Sequence, residues 1–285
     1  MGNGAPDWQT VVCSHEANIR AGDQAAMLDF LSQYGQLGHG VNQTPRIIQT
    51  AAFKRVLELC PCLYAQVDVR VSAKGVVHLC EITLNRPIDS GNVYAAFEIQ
   101  HPAKTGISFS YAPVSPGAGG GDIMEALCAE VLTNHGVPPM ELDPSGWPIW
   151  ASRSHLSLNA GKMSALKLYG DILIPAAPHN ILISVKSEAA RERFIVSGNR
   201  LESVGFGFFN DASEFWTESR MNLLKRWGFS AIYMPTNTLQ MLNNKLQQNN
   251  RLSHALNING RPLFRNLTDF GPDIAGVAGK LSFDL

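Results

Sequence analysis

The sequence predicts an α/β fold, a mixed β-sheet core flanked by helices, with a β-rich elaboration on its N-terminal side. Three observations carry this. From Gly136 onward, apolar runs of strand length alternate with stretches at helical period. Between residues 65 and 113, apolar and polar residues alternate between Pro and Gly breaks. The two regions are separated by SPGAGGGD, Ser115 to Asp122, the sharpest change of composition in the chain. The organisation expected is a helical and antiparallel β region over 1–114, a Gly-rich connection over 115–121, and an α/β core with a polar tail over 122–285.

Residues 1 to 60 read as mostly helical, since AAMLDFLSQYG and TPRIIQTAAFKRVLELC space their apolar residues three and four apart. In the second, Thr44 caps and Pro45 occupies the first turn. An antiparallel meander is expected next: QVDVRVS, VVHLCEITL, NVYAAFEIQ and GISFSYAPV have strand length. After the glycines, DIMEALCAEVLTNHG predicts a helix capped by Asp122, with Ile123, Leu127 and Val131 in one stripe and Gly136 past its end. DILIP and ILISV are strands joined by the turn PAAPHN, and SEAARERF returns to helical period. GFGFF reads as sheet core, with alternation turning at least one of Phe206, Phe208 and Phe209 outward. DASEFWTESRMNLLKRWG predicts one amphipathic helix from an Asp211 cap to Gly228, GFSAIYMP a strand, and TNTLQMLNNKLQQNN a last helix.

Composition narrows the function classes. An apolar fraction of 45% and a net charge of −1 describe a globular protein with no global basic field, so a polyanionic partner must be met by a local patch. Five cysteines without framework spacing, and no basic-then-apolar leader, make a reducing cytoplasm the expected location. No apolar run approaches the length of a membrane span. The Gly-rich segment lacks the Lys-Ser/Thr of a phosphate loop, and Cys60 and Cys62 have no partner pair at zinc-finger spacing. Neither a Gly-x-Ser-x-Gly elbow nor HExxH occurs.

The chemistry concentrates in the DILI and ILISVK hairpin. Asp171 opens the first strand and Lys186 closes the second, fifteen residues later. Antiparallel pairing brings the start of one beside the end of the other, and alternation puts Ser184 on the face of Lys186. A lysine beside a carboxylate is suited to metal-assisted phosphodiester hydrolysis: the acid holds Mg²⁺, and the amine positions the attacking water. Taken singly, each residue also suits a structural role. Asp171 can start a strand, Lys186 can snorkel from a sheet edge, and Glu125 can be a solvated helix position.

GDILI, the turn and ISVK resemble the PD-(D/E)XK nuclease core, with Gly170 in place of its proline and Ser184 in place of its second acid. SVKSEAARERF followed by NRLE is similar to the type II restriction endonuclease subgroup that carries Ser there and takes a Glu from the following helix. The resemblance implies a restriction-endonuclease-like fold in which Asp171 and Glu202 ligate Mg²⁺, Lys186 orients the water and Ser184 marks the vacated acidic position. Glu188 and Glu192 are alternative donors to Glu202. Glu125, on the helix after the glycines, stands where the family often adds a further acid. A homodimer acting on double-stranded DNA is also implied, with no membrane association.

Phosphate contacts are expected from Arg191, Arg193 and Arg200, with Lys162 and Lys167 nearby; the alternative for Arg191 and Arg193 is pairing with Glu188 or Glu192 along the helix. Base contacts are expected outside the catalytic core. The candidates are Arg70, Lys74 and Arg86 of the meander and Gln247, Asn249, Asn250 and Arg251 of the tail, unless that tail is a solvated loop. Two other readings share the core: a DNA-binding module that does not cut, and a repair nuclease without sequence preference.

Overall fold

A computed structural model describes residues 77, 80, 81, 84–100, 119–159, 161–177, 179–188 and 203–280. The helices expected within residues 1 to 60, most of the meander and the stretch 189–202 lie outside the described residues. The chain divides into two compact units, residues 1–88 with 95–126, and residues 89–94 with 127–285.

The second unit is built on a six-stranded mixed sheet in sequential order. Its strands are β1 (Leu156–Ser157), β2 (Ile172–Ile174), β3 (Ile181–Lys186), β4 (Ser203–Gly207), β5 (Phe229–Met234) and β6 (Phe264–Asn266). β2 runs antiparallel to both β1 and β3, whereas β3, β4, β5 and β6 are successively parallel. DILIP and ILISV therefore form the expected hairpin. β3 and β4 are buried along nearly their whole length, as strands covered on both faces must be.

Five α-helices are described: α1 (Val93–Gln100), α2 (Gly119–Asn134), α3 (Glu218–Arg226), α4 (Thr236–Gln248) and α5 (Phe270–Val277). On one face, Met221 and Leu224 of α3 and Leu242 and Leu246 of α4 share a core with Ile232, Phe264 and Phe209. On the other, Phe270 of α5 packs on Phe206 and Tyr233, with ring centroids 4.6 and 5.2 Å apart. The β1–β2 end has its own cluster of Met140, Leu156, Leu158, Met163 and Leu182.

Five expectations need correction. NVYAAFEIQ is helical, not a strand: Asp89 accepts from Gly91 N and Asn92 N at 2.8 and 3.1 Å, while Asn92 Oδ1 accepts from Asp89 N at 2.7 Å. This reciprocal cap satisfies the free N–H groups of a helix start. Val77, Cys80, Glu81 and Leu84 of VVHLCEITL are helical too. The glycines of the connection are partly ordered in helix, since α2 begins at Gly119 and holds Asp122 in its first turn.

The stretch from Asp211 to Gly228 is two elements. Asp211 caps a 3-10 turn, Ala212–Glu214, and Thr217 caps α3 separately through Arg220 N at 3.3 Å. The break lets Phe215 reach the core, where it is 1% exposed. Finally, Phe206, Phe208 and Phe209 are all fully buried, because this strand and its exit are covered on both faces. The tail, in turn, supplies β6 and leads into α5, neither of which its polar composition foretells.

Candidate active site

Asp171 lies just ahead of β2 and is fixed by three backbone-directed bonds. Its N–H donates to the Ile183 carbonyl and its carbonyl accepts from Leu158 N, both at 2.9 Å, and its Oδ2 accepts from Val185 N at 2.7 Å. The carboxylate is thereby aimed along the edge of β3. Lys186, the last residue of β3, donates to the Val185 carbonyl at 3.0 Å and reaches Asp171 Oδ2 at 3.5 Å. Their side chains are 14% and 13% exposed, buried enough to strengthen the pairing and still reachable from water.

Both bonds of the carboxylate fall on Oδ2. Among the described residues, Oδ1 accepts none. A partly exposed carboxylate held through one oxygen leaves the other with the hard-donor chemistry that Mg²⁺ takes.

Gly170 has a physical reason to be where the resembled motif has proline. Its N–H donates to the Lys167 carbonyl at 3.3 Å, closing the 3-10 helix Gly161–Tyr169, and proline has no such donor. Ser184 is 2% exposed and shares the face of Lys186, two residues along β3.

The sequence reading missed what flanks this face. The neighbours of Ser184 and Lys186 across the parallel ladder are Gly205 and Gly207 of β4. Neither adds a side chain there, and the Phe209 ring takes the space over Gly207. The signal was present in GFGFF, whose glycines alternate as one face of a strand does.

The other candidates fall in different places. Glu125 is 8% exposed on α2, in the portion belonging to the first unit, so it is no solvated surface position. Glu202, Glu192, Arg191, Arg193 and Arg200 lie outside the described residues, and Glu188 is half-buried two residues past β3. Lys162, Lys167 and Arg86 are exposed.

Asn249 and Arg251 follow α4, which starts after β5 at the Lys186 end of the sheet and runs back, about 20 Å for its length. They lie at its far end. Asn249 Nδ2 donates to the Lys245 carbonyl at 2.7 Å, closing the helix, and the Arg251 guanidinium stacks on Trp216 at 4.7 Å. Among the described residues, no three His, Cys, Asp or Glu side chains gather closely enough to hold a metal ion. Nor is any described helix long and apolar enough to cross a membrane.

Comparison of the chain with protein-family models, with curated proteins and with solved structures finds no match.

Proposed function

We propose that the chain is a Mg²⁺-dependent endonuclease that cuts double-stranded DNA at specific sites, of the type II restriction kind. One observation carries the reading: Asp171 and Lys186 meet at 3.5 Å across an antiparallel hairpin, with Asp171 Oδ1 left to bind a cation. The hairpin followed by a parallel crossover to β4 suits the restriction-endonuclease-like fold that the motif implies.

Asp171 and Glu202 would hold Mg²⁺, which when bound supplies charge neutralisation at the phosphate and a more acidic water. Lys186, anchored by the Val185 carbonyl, orients that water through its ammonium protons for in-line attack on phosphorus. Ser184 stands at the vacated acidic position. The products carry 5′-phosphate and 3′-hydroxyl ends. Arg191, Arg193 and Arg200 contact phosphates beside the scissile bond, and Asn249 and Arg251 contact bases. A two-fold dimer matches a palindromic site cut on both strands.

The test is incubation of the purified protein with long phage DNA and Mg²⁺, beside a Lys186→Ala control. Discrete bands that the variant fails to give support the proposal. A smear indicates a nuclease without sequence preference, and intact DNA under every divalent metal tried indicates a binding module.

A further inference from the structure

A groove of about 780 Å³ runs along the exposed side of β6, between that strand and α4. Leu239, Leu252, Leu256 and Phe264 give it an apolar wall, and Leu252 and Leu256 are 49% and 40% exposed, so this wall meets water. Asn243, Asn266 and Asp269 add amides and a carboxylate, and Arg261 and Arg265 add cations. An apolar wall with a few placed polar groups is the usual make-up of a small-ligand site.

The polar groups differ in what they have left to offer. Arg265 is committed: its NH1 donates to Asp273 Oδ2 at 2.7 Å and lies 3.4 Å from the Tyr233 hydroxyl. The Arg261 guanidinium has no ion-pair or hydrogen-bond partner among the described residues, and neither has the Asn243 amide. Asn266 Oδ1 already accepts from Thr236 Oγ1 and Thr268 N, both at 3.1 Å. Its orientation is therefore set, and its Nδ2 is the donor that remains. Asp269, three residues on, ends the 3-10 turn that Asn266 caps; its Oδ1 accepts from Thr268 Oγ1 at 3.4 Å, and its Oδ2 accepts no bond among the described residues.

A donor amide and an acceptor carboxylate lining one groove complement a base that offers a ring-nitrogen acceptor next to an exocyclic amine. On the Watson–Crick edge adenine and cytosine offer that pair; guanine and thymine present a ring N–H there instead. The apolar wall suits the face of the base, and the uncommitted guanidinium suits a phosphate.

Position agrees with the chemistry at the Asn266 end of the groove, whereas Leu252, Leu256 and Arg261 precede β6 and line its other end. Asn266 is the last residue of β6 and pairs with Met234, the last residue of β5, as Lys186 pairs with Gly207, the last of β4. Lys186 and Asn266 therefore stand at the same edge of the sheet, three strand spacings or about 14 Å apart. Ligands of parallel sheets gather outside that carboxyl edge.

We propose that this groove binds one nucleoside monophosphate carrying adenine or cytosine, with Arg261 on the phosphate and Asn266 and Asp269 on the base edge. The unit has two sources, a free mononucleotide or one nucleotide of a nucleic-acid strand. Neither depends on the chain being a nuclease.

The test uses the full chain in EDTA, so that no cleavage intervenes. dAMP, dCMP, dTMP and inorganic phosphate are titrated by calorimetry, and a fluorescent deoxyadenosine octamer by anisotropy, into the wild type, Arg261→Ala and Asp269→Asn. Melting curves check that each variant is folded; should Asp269→Asn fail to fold, the exposed Arg261→Ala decides alone.

One-to-one binding of dAMP or dCMP, at least about tenfold weaker for dTMP and about tenfold weaker in Arg261→Ala, supports a free-nucleotide site. Octamer binding that loses a similar factor in Arg261→Ala while mononucleotides give no heat supports a strand as the source. Equal affinity for dTMP, or no Arg261-dependent binding in either arm, overturns the proposal.

Discussion

Asp171 Oδ2 accepts the Val185 backbone N–H at 2.7 Å, a shorter contact than the 3.5 Å to its charge partner Lys186. The carboxylate is therefore placed mainly by the ladder of its own hairpin, and the lysine is added to a site already fixed. This ordering separates stability from activity at a single residue.

Asp171→Asn keeps an oxygen for Val185 N–H and is expected to lie within about 1 kcal/mol of the wild type in urea unfolding. Asp171→Ala leaves that buried Val185 donor without its acceptor and removes the carboxylate beside the Lys186 ammonium, and is expected to lose about 1–3 kcal/mol. Under the proposed function both variants are inactive on DNA. Cleavage by Asp171→Asn at the wild-type rate would remove the carboxylate from the mechanism.

Gly207 stands beside Lys186 on the neighbouring strand, and a Cβ built on it would clash with the Cζ end of the Phe209 ring. Gly207→Ala must displace a fully buried aromatic and is expected to destabilise by about 1–3 kcal/mol, with altered near-ultraviolet circular dichroism. An unchanged melting temperature would mean that the ring yields without loss.

The Tyr233 hydroxyl donates to Asp273 Oδ2 at 2.6 Å, and Tyr233 itself is 1% exposed. Asp273→Ala removes this acceptor and the partner of Arg265, and is expected to cost about 1–3 kcal/mol. Burial, then the bond to Asp273, hold the phenol well above its ordinary value. The folded protein should show delayed tyrosinate absorbance at 295 nm relative to the urea-unfolded chain.

Burial, and then the charge of Glu81, push the Cys80 thiol up from its ordinary 9.0 to about 12. Between those values the folded state holds a proton that the unfolded chain has released. This contribution to stability is therefore complete below about pH 9 and lost as pH rises toward 12. Iodoacetamide at pH 8.5 with peptide mapping should leave Cys80 unlabelled in the native protein and label it in urea. Rapid native labelling would show that the thiol is open to solvent.

The hairpin, the placement of Asp171 next to Lys186 and the strand at GFSAIYMP were legible because each rests on local pattern: period two, a turn of hairpin length, a Pro or Gly stop. What the sequence concealed depends on tertiary context. Periodicity over DASEFWTESRMNLLKRWG continues through Phe215 and Trp216, and only the two separate caps, Asp211 and Thr217, divide it. NVYAAFEIQ has strand-like residues, but DSGN before it carries the stronger capping signal. β6 is three residues long within a polar tail, too short to show a period, and forms by pairing with β5. Whether Ser184 looked onto a side chain or a glycine was decided by a strand nearly twenty residues away.

The sheet joins two kinds of connection, and they set different clocks. β2 and β3 meet across a turn of six residues, whereas each parallel pair from β3 to β6 must close a much longer crossover before any ladder bond forms. Low contact order favours the hairpin first. The expected sequence of events is that Asp171 and Lys186 come together early and the parallel strands set the overall refolding rate. Stopped-flow refolding should then find substitutions in β5 and β6 slowing the main phase, and those in the PAAPHN turn slowing it little.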